Sequence, residues 1–396
     1  MSVIYLNQLG MICSLGNSLD EIGRRMLERA QSGVRLVDDY LPGRSVPLGR
    51  VDATAPLPSV DELPLRDRSR NNQLALAALS QVRPAVDGAI ERFGTDRFGI
   101  VIGTSTSGIA EGENALREYA ASGKLPGKFH YGQQEMGSPA TVLAATLGTT
   151  GPAYVHSSAC ASSAKALASA ARLILMGVCD AILTGGVDSL CAFTVAGFAA
   201  LESVSATRCN PLSRNRNGIN IGEGAALFLL SREPSTISLR GWGESSDGYH
   251  MSAPHPAGVG ARLAMERALA RAGVAAERVD YINLHGTATV QNDAMEARVI
   301  NELFGDRVPV SSTKPFTGHT LGAAGAIEAG LCWLAMQDGN PSGKLPPHLW
   351  DGAADSELPT LNVAEPGTSL GRPLDCVVSN SFGFGGANAT IVLARE

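Results

Sequence analysis

The chain predicts an α/β fold, its sheets mostly parallel and covered by helices on both faces, and three observations carry that expectation. Short apolar runs alternate with helical stretches along the whole sequence, which is the pattern of a sheet and the helices that cover it. Forty-five glycines in 396 residues cluster where the apolar runs end. The stretch after Glu233-Pro234-Ser235 repeats the pattern of the stretch before it, dividing the chain into a first half, 1–234, and a second, 235–396.

Taken in order, residues 3–9 read as a first strand rather than as a charged and apolar leader. Ser18 is placed to cap a helix opening at Leu19. Residues 35–64, rich in Pro and Asp, read as irregular surface structure, and Arg66, Arg68 and Arg70 lead into a helix reaching about Val82. Arg97–Gly103 is an apolar strand ending in the small-residue loop Thr104–Gly108. Helices are expected over 110–122 and 138–147, with Lys124-Leu125-Pro126-Gly127-Lys128 breaking regular structure between them. A strand over Ala153–Val155 delivers Ser158-Ala159-Cys160-Ala161-Ser162-Ser163, followed by a small-residue helix to about Gly177 and a strand over Ala181–Gly186.

A turn-rich loop, Asn210–Gly218, precedes the apolar run Gly222–Leu230. In the second half, helices over 259–272, 292–303 and 321–337 alternate with strands at Tyr281–Leu284 and Val308–Ser312. The last strands, Cys376–Ser379 and Ala389–Leu393, are joined by Phe382-Gly383-Phe384-Gly385-Gly386.

The composition, 44% apolar and 18% charged, is that of a globular protein. A net charge of −6 argues against bulk attraction to nucleic acid. No apolar run approaches the length that spans a membrane. Seven cysteines show no CxxC pair, so the expectation is reduced thiols in a cytoplasmic protein.

Cys160 stands between a strand and a helix, where unpaired backbone N–H groups and the helix dipole favour a thiolate. His285 and His319, 34 residues apart, each follow an apolar strand in a Gly-flanked turn. A Cys/His/His set could also ligate zinc, but no further Cys cluster or supporting carboxylate pattern accompanies it.

Four ordered motifs carry a resemblance: the Cys160 segment; His285-Gly286-Thr287-Ala288-Thr289; Lys314 through His319 with Leu321-Gly322-Ala323-Ala324-Gly325; and Asn380–Asn388. Together they resemble the β-ketoacyl-[acyl carrier protein] synthases of the elongating Cys-His-His type. The resemblance implies the thiolase-like fold, two pseudo-symmetric halves in a five-layered αβαβα sandwich, and a homodimer or a heterodimer with a related subunit. It makes Cys160 the acyl-accepting nucleophile, with His285 and His319 assisting decarboxylation of a malonyl group. Lys314 organises the histidines, and Glu328 supports it. Backbone N–H groups of Cys160 and Phe382 form an oxyanion hole, with Phe382 also the gate between compartments. Thr287 and Thr289 contact a phosphopantetheine arm, and Thr106 and Phe198 line an acyl pocket. No metal is implied, and no cofactor beyond the phosphopantetheine that the substrate brings.

An acyl carrier protein is acidic, so Arg66, Arg68, Arg70, Lys124 and Lys128 are expected to dock it. Where the family often reads Pro-Phe-Asp and Arg-Asp-Gly, this chain has Pro211-Leu212-Ser213 and Arg216-Asn217-Gly218. That departure fits a polyene or polyketide-type pathway as well as fatty acid synthesis. A non-catalytic chain-length partner is the competing reading; it would typically lack the nucleophile, and Cys160 opposes it.

Overall fold

The computed structural model describes residues 3–52 and 57–396. The first half contains β1 (Tyr5–Cys13), α1 (Leu19–Gly23), β2 (Arg35–Leu41), β3 (Arg44–Leu48), α2 (Arg70–Phe93), β4 (Phe98–Gly103) and α3 (Ile109–Ser122). It continues with α4 (Ser138–Leu147), β5 (Ala153–His156), α5 (Ser162–Leu175), β6 (Ala181–Asp188), α6 (Ala192–Ala200) and β7 (Gly224–Ser231). The second half contains β8 (Ile237–Ser246), α7 (Val259–Ala272), β9 (Tyr281–Asn283), α8 (Val290–Phe304), β10 (Pro309–Ser311) and α9 (Lys314–Thr317). It ends with α10 (Ala324–Ala335), β11 (Asn362–Val363), β12 (Cys376–Gly383) and β13 (Ala387–Arg395).

The strand order repeats. In the first half it runs β1-β7-β6-β4-β5, and in the second β8-β13-β12-β9-β10 with β11 added at the edge. In each set the first three strands pair antiparallel and the last three parallel. The sheets are therefore mixed rather than mostly parallel. The reason is visible at β12 and β13, which a three-residue loop, Phe384–Gly386, connects; a loop that short allows only an antiparallel return. The two sets touch edge to edge through one pair, Tyr5 opposite Ser238.

Three layers of helices alternate with the two strand sets. The central layer is α5 and α10, whose alanines pack with Met11, Phe228, Trp242, Val377 and Ile391 from both strand sets in one core. A second core holds α2 and α4 against the outer face of β4 and β6, and a third holds α7 and α8 against β9, β10 and β12. Small residues in the centre let the helices approach closely. A Cβ on Gly325 of α10 would lie 2.9 Å from the Ala164 Cβ of α5.

Three local readings change. Residues 35–48 form a β-hairpin, because Pro42-Gly43 makes a two-residue turn with Gly43 at φ 67 and Val46 and Leu48 face the core. Helix α2 runs beyond Val82 to Phe93. Pro84 removes only one backbone donor, and the buried stripe Leu79, Val82, Val86, Ala89 continues across it. Helix α6 has no counterpart in the sequence reading. Ser18 caps α1 as expected, its Oγ accepting the Glu21 N–H. No helix among the described residues is long and apolar enough to cross a membrane.

Arg70 is tied into the fold. Its guanidinium holds the fully buried Glu223 through Nε and Nη2, at 2.8 and 2.5 Å. Glu223 also accepts the backbone N–H groups of Val51 and Leu190. Replacing the cation strands a buried carboxylate, so Arg70→Met should lower unfolding free energy by about 3 kcal/mol. Urea denaturation of the two proteins measures the difference, and equal midpoints would refute it.

Candidate active site

The turn before α5 presents Cys160 in a constrained geometry. Ala159 takes a left-handed φ of 48, a strained position for a residue with a side chain. Ser162 holds the turn: its Oγ accepts the Ser158 N–H at 2.8 Å and its hydroxyl donates to the Ala159 carbonyl at 2.6 Å. The backbone N–H groups of Phe384 and of Cys160 itself favour negative charge on the sulfur. Gly103 on β4 lets this turn settle against the sheet, since a Cβ there would lie 2.3 Å from the Ser163 nitrogen.

From the second half, His319 places Nε2 3.0 Å from the Cys160 sulfur. Its backbone is clamped in a bridge with Ile221, its N–H donating to the Asn220 carbonyl at 2.6 Å. His285 stands edge-on to it, ring centroids 5.3 Å apart, and packs against the Phe382 ring at 5.9 Å. Glu296 on α8 secures that turn by accepting the backbone N–H groups of His285 and Gly286 at 2.8 and 2.7 Å.

Lys314 lies between these groups. Its Nζ is 2.5 Å from Glu328 and 3.3 Å from Nδ1 of His285, and all three side chains are buried. An ammonium can only donate, so His285 Nδ1 is the acceptor and its proton resides on Nε2. Burial, and then the Lys314 charge, hold both imidazoles well below their ordinary value, so they are neutral near pH 7. Burial raises the Glu328 carboxyl, with Lys314 pulling it back.

Burial likewise pushes the Cys160 thiol up to about 11, with the Lys314 charge and the Phe384 N–H opposing. The expected thiolate is thus corrected: a 5% exposed sulfur loses more from desolvation than the helix start returns. The resting pair is a neutral thiol beside a neutral imidazole. The ligand atoms of Cys160, His285 and His319 lie within 4.8 Å of one another, spacing that could seat a metal ion. The Lys314 ammonium, 3.3 Å from His285, repels a dication there.

These residues line one pocket with Phe198, Thr287, Thr289, Asn292, Phe382 and Phe384. Thr287 and Thr289 join hydroxyls at 2.9 Å, and the rings of Phe198 and Phe384 stack at 5.3 Å. Two expectations move. The backbone N–H reaching the sulfur is that of Phe384, not Phe382, because Phe382 still belongs to β12, paired with Asn388. Phe384 is also the aromatic facing Phe198, whereas Phe382 is 5% exposed against His285. Thr106 is not among the pocket residues; its hydroxyl is engaged by the buried Asp188 at 2.9 Å.

Of the basic residues, Arg68 and Lys128 line a shared surface groove with Leu65 and Phe129. Arg66 and Lys124 are exposed, and Arg70 is withdrawn by its bond to Glu223. The departed loop keeps its carboxylates from elsewhere: Ser213 donates to Asp351 at 2.8 Å and Arg216 pairs with Asp355 at 2.5 Å. Glu296, Asp188 and Phe384 escaped the sequence reading. The only signal for Phe384 was its place between two glycines.

Profiles described as beta-ketoacyl synthase, N-terminal domain, and beta-ketoacyl synthase, C-terminal domain, match residues 50–235 and 237–349. The 3-oxoacyl-[acyl-carrier-protein] synthase 2 of Coxiella burnetii is 30% identical, over 99% of this chain and 98% of its own length. Nodulation protein E of Rhizobium meliloti is 31% identical over 99% of both chains. A solved chain from the complex of the ketosynthase ApeO with its chain length factor ApeC, from Xenorhabdus doucetiae, is 44% identical. It superposes with a TM-score of 0.93, covering 100% of this chain and 98% of that one. With two profiles across most of the sequence and relatives matching end to end, the chain belongs to the β-ketoacyl synthase family of acyltransferases.

Proposed function

We propose that this chain is a 3-oxoacyl-[acyl carrier protein] synthase in which the first half supplies the nucleophile and the second the histidines. The observation that carries the reading is His319 Nε2 at 3.0 Å from the Cys160 sulfur, with a Lys314-oriented His285 beside it. Acyl transfer begins when the sulfur attacks the thioester carbonyl of an acyl carrier protein and its proton passes to His319. The carrier's C–S bond breaks, and His319 returns the proton to the departing thiol. The N–H groups of Cys160 and Phe384 receive the oxyanion of the tetrahedral intermediate.

Malonyl-carrier protein then occupies the pocket. The C–CO2 bond breaks, and the electron pair moves onto the thioester oxygen, where the Nε2–H of His285 donates to it. His319 flanks the same oxygen. The enolate carbon attacks the acyl-Cys160 carbonyl; the collapsing intermediate expels the Cys160 thiolate, which takes up a proton. The product is a 3-oxoacyl chain two carbons longer. This chemistry needs no cofactor beyond the phosphopantetheine on the substrates, an arm that Thr287 and Thr289 are placed to contact.

Carrier docking is assigned to Arg66, Arg68, Lys124 and Lys128. The solved chain at 44% identity comes from a complex of a ketosynthase with its chain length factor, which supports a heterodimer with a related subunit and a polyene or polyketide-type pathway for this chain.

Intact-protein mass spectrometry with acyl-carrier proteins, then malonyl-carrier protein, tests the reading. Wild type should gain an acyl mass and release a product two carbons longer, and Cys160→Ala should gain none. Absence of acylation across a panel of chains and carriers would sink it. Lys314→Met should slow malonyl decarboxylation about 100-fold and slow acylation much less, through the lost field at Cys160; equal losses in both steps would deny it a role at His285.

The pH dependence is equally specific. Because the imidazoles are held neutral, their working form persists well below pH 6.5. Single-turnover elongation from pre-acylated enzyme should therefore vary less than about threefold between about pH 6 and 8. A loss centred near 6.5 would show that a histidine titrates normally.

A further inference from the structure

The two histidines are oriented by different means. His285 has a side-chain partner on Nδ1, whereas Nδ1 of His319 is buried with no hydrogen-bond partner among the described residues. The direction of the His319 imidazole, and so its distance to the sulfur, rests on the backbone of its own turn. That turn bends through Gly318 at φ 70 and carries a strained residue, Leu321 at φ 50, so something must hold it. On one side the hold is the bridge to Asn220–Gly222. On the other it is Asp188, at the end of β6.

Asp188 is fully buried, and among the described residues no cation forms an ion pair with it. Its charge is balanced by donors alone. Oδ1 accepts the hydroxyls of Thr104 and Thr106 at 2.6 and 2.9 Å and the N–H of Thr106 at 2.9 Å. Oδ2 accepts the Ser105 hydroxyl at 2.6 Å and the Gly322 N–H at 2.6 Å. The Ser105 N–H is shared between the oxygens, and Ser105 Oγ also takes the Gly322 N–H at 3.2 Å. The fit is close: a Cβ on Gly322 would fall 2.8 Å from Oδ2. A bond from an ionised acceptor to an amide is among the strong ones, and this one crosses from the first half to the second, three residues from His319.

We propose that Asp188 is a positioning residue for the reaction, fixing the His319 imidazole against Cys160 through the Gly322 N–H. The proposal rests on the assignment of His319 as the proton acceptor in acyl transfer. The two oxygens carry unequal shares: Oδ1 serves only the 104–106 loop, whereas Oδ2, besides its bonds to Ser105, holds the catalytic turn.

The test compares Asp188→Asn, Ser105→Ala and Thr104→Val by two readouts. One is the pH profile of Cys160 alkylation by iodoacetamide, with Cys160→Ala as background. The other is kcat and KM for acyl transfer from acyl-carrier protein. Asp188→Asn turns an amide group toward N–H donors. It should cut kcat roughly 10- to 100-fold with KM unchanged, and shift the alkylation profile. Ser105→Ala loosens only the Gly322 side and should produce a smaller change of the same kind. Thr104→Val removes a bond to Oδ1 and the acceptor of the Ser107 N–H, neither on the Gly322 side, and should keep the wild-type profile while losing stability. If Asp188→Asn does not fold, the order of Ser105→Ala against Thr104→Val decides. A wild-type profile in folded Asp188→Asn, or equal effects from the two hydroxyl variants, overturns the proposal. Loss of acylation in wild type would instead reject the synthase reading itself.

Discussion

The Lys314 ammonium is the interaction on which the site depends. It is buried, it neutralises Glu328, and it dictates which nitrogen of His285 carries a proton. Its field adds to burial, the larger cause, in keeping both imidazoles unprotonated, and it lowers the cost of negative charge on Cys160. One fixed cation thus prepares three groups for different duties without touching the substrate. Burial makes this possible, since the same charge in water would be screened.

The nucleophile is correspondingly not a standing thiolate. A strongly desolvated thiol beside a neutral imidazole holds its reactivity in reserve until a carbonyl arrives between the two amide N–H groups. Charge then appears only where donors already point, which is the form of stabilisation that needs least rearrangement. The site avoids holding a reactive anion at rest and uses its preorganised donors during the step itself.

The sequence was most informative where chemistry and local structure coincide. Cys160, His285, His319 and Lys314 stand at strand ends beside small residues, and the structure gathers all four with Glu328 in one cluster, of which Cys160, His285 and His319 line the pocket. The strand and helix alternation also read correctly, because its period is local. What sequence could not disclose depends on long-range partners. Arg70 resembles its neighbours Arg66 and Arg68 until Glu223, 153 residues away, is seen to hold it. Thr106 resembles a pocket wall until Asp188 takes its hydroxyl. Phe382 and Phe384 differ only in where β12 ends, a boundary set by pairing with β13. The 35–48 hairpin was hidden by prolines and aspartates that usually signal loops, one of which, Pro42, makes its turn.

Because the two strand sets meet at a single residue pair, their separation is set elsewhere, by the alanine and glycine surfaces of α5 and α10. The gap from sulfur to imidazole is therefore a matter of helix thickness. One added methyl at Ala164 or Gly325 would act as a spacer between nucleophile and base. Drift by conservative apolar exchange, harmless in most protein interiors, is closed to this seam. The residues that bear the least chemistry in the molecule set the tolerance to which its chemistry is built.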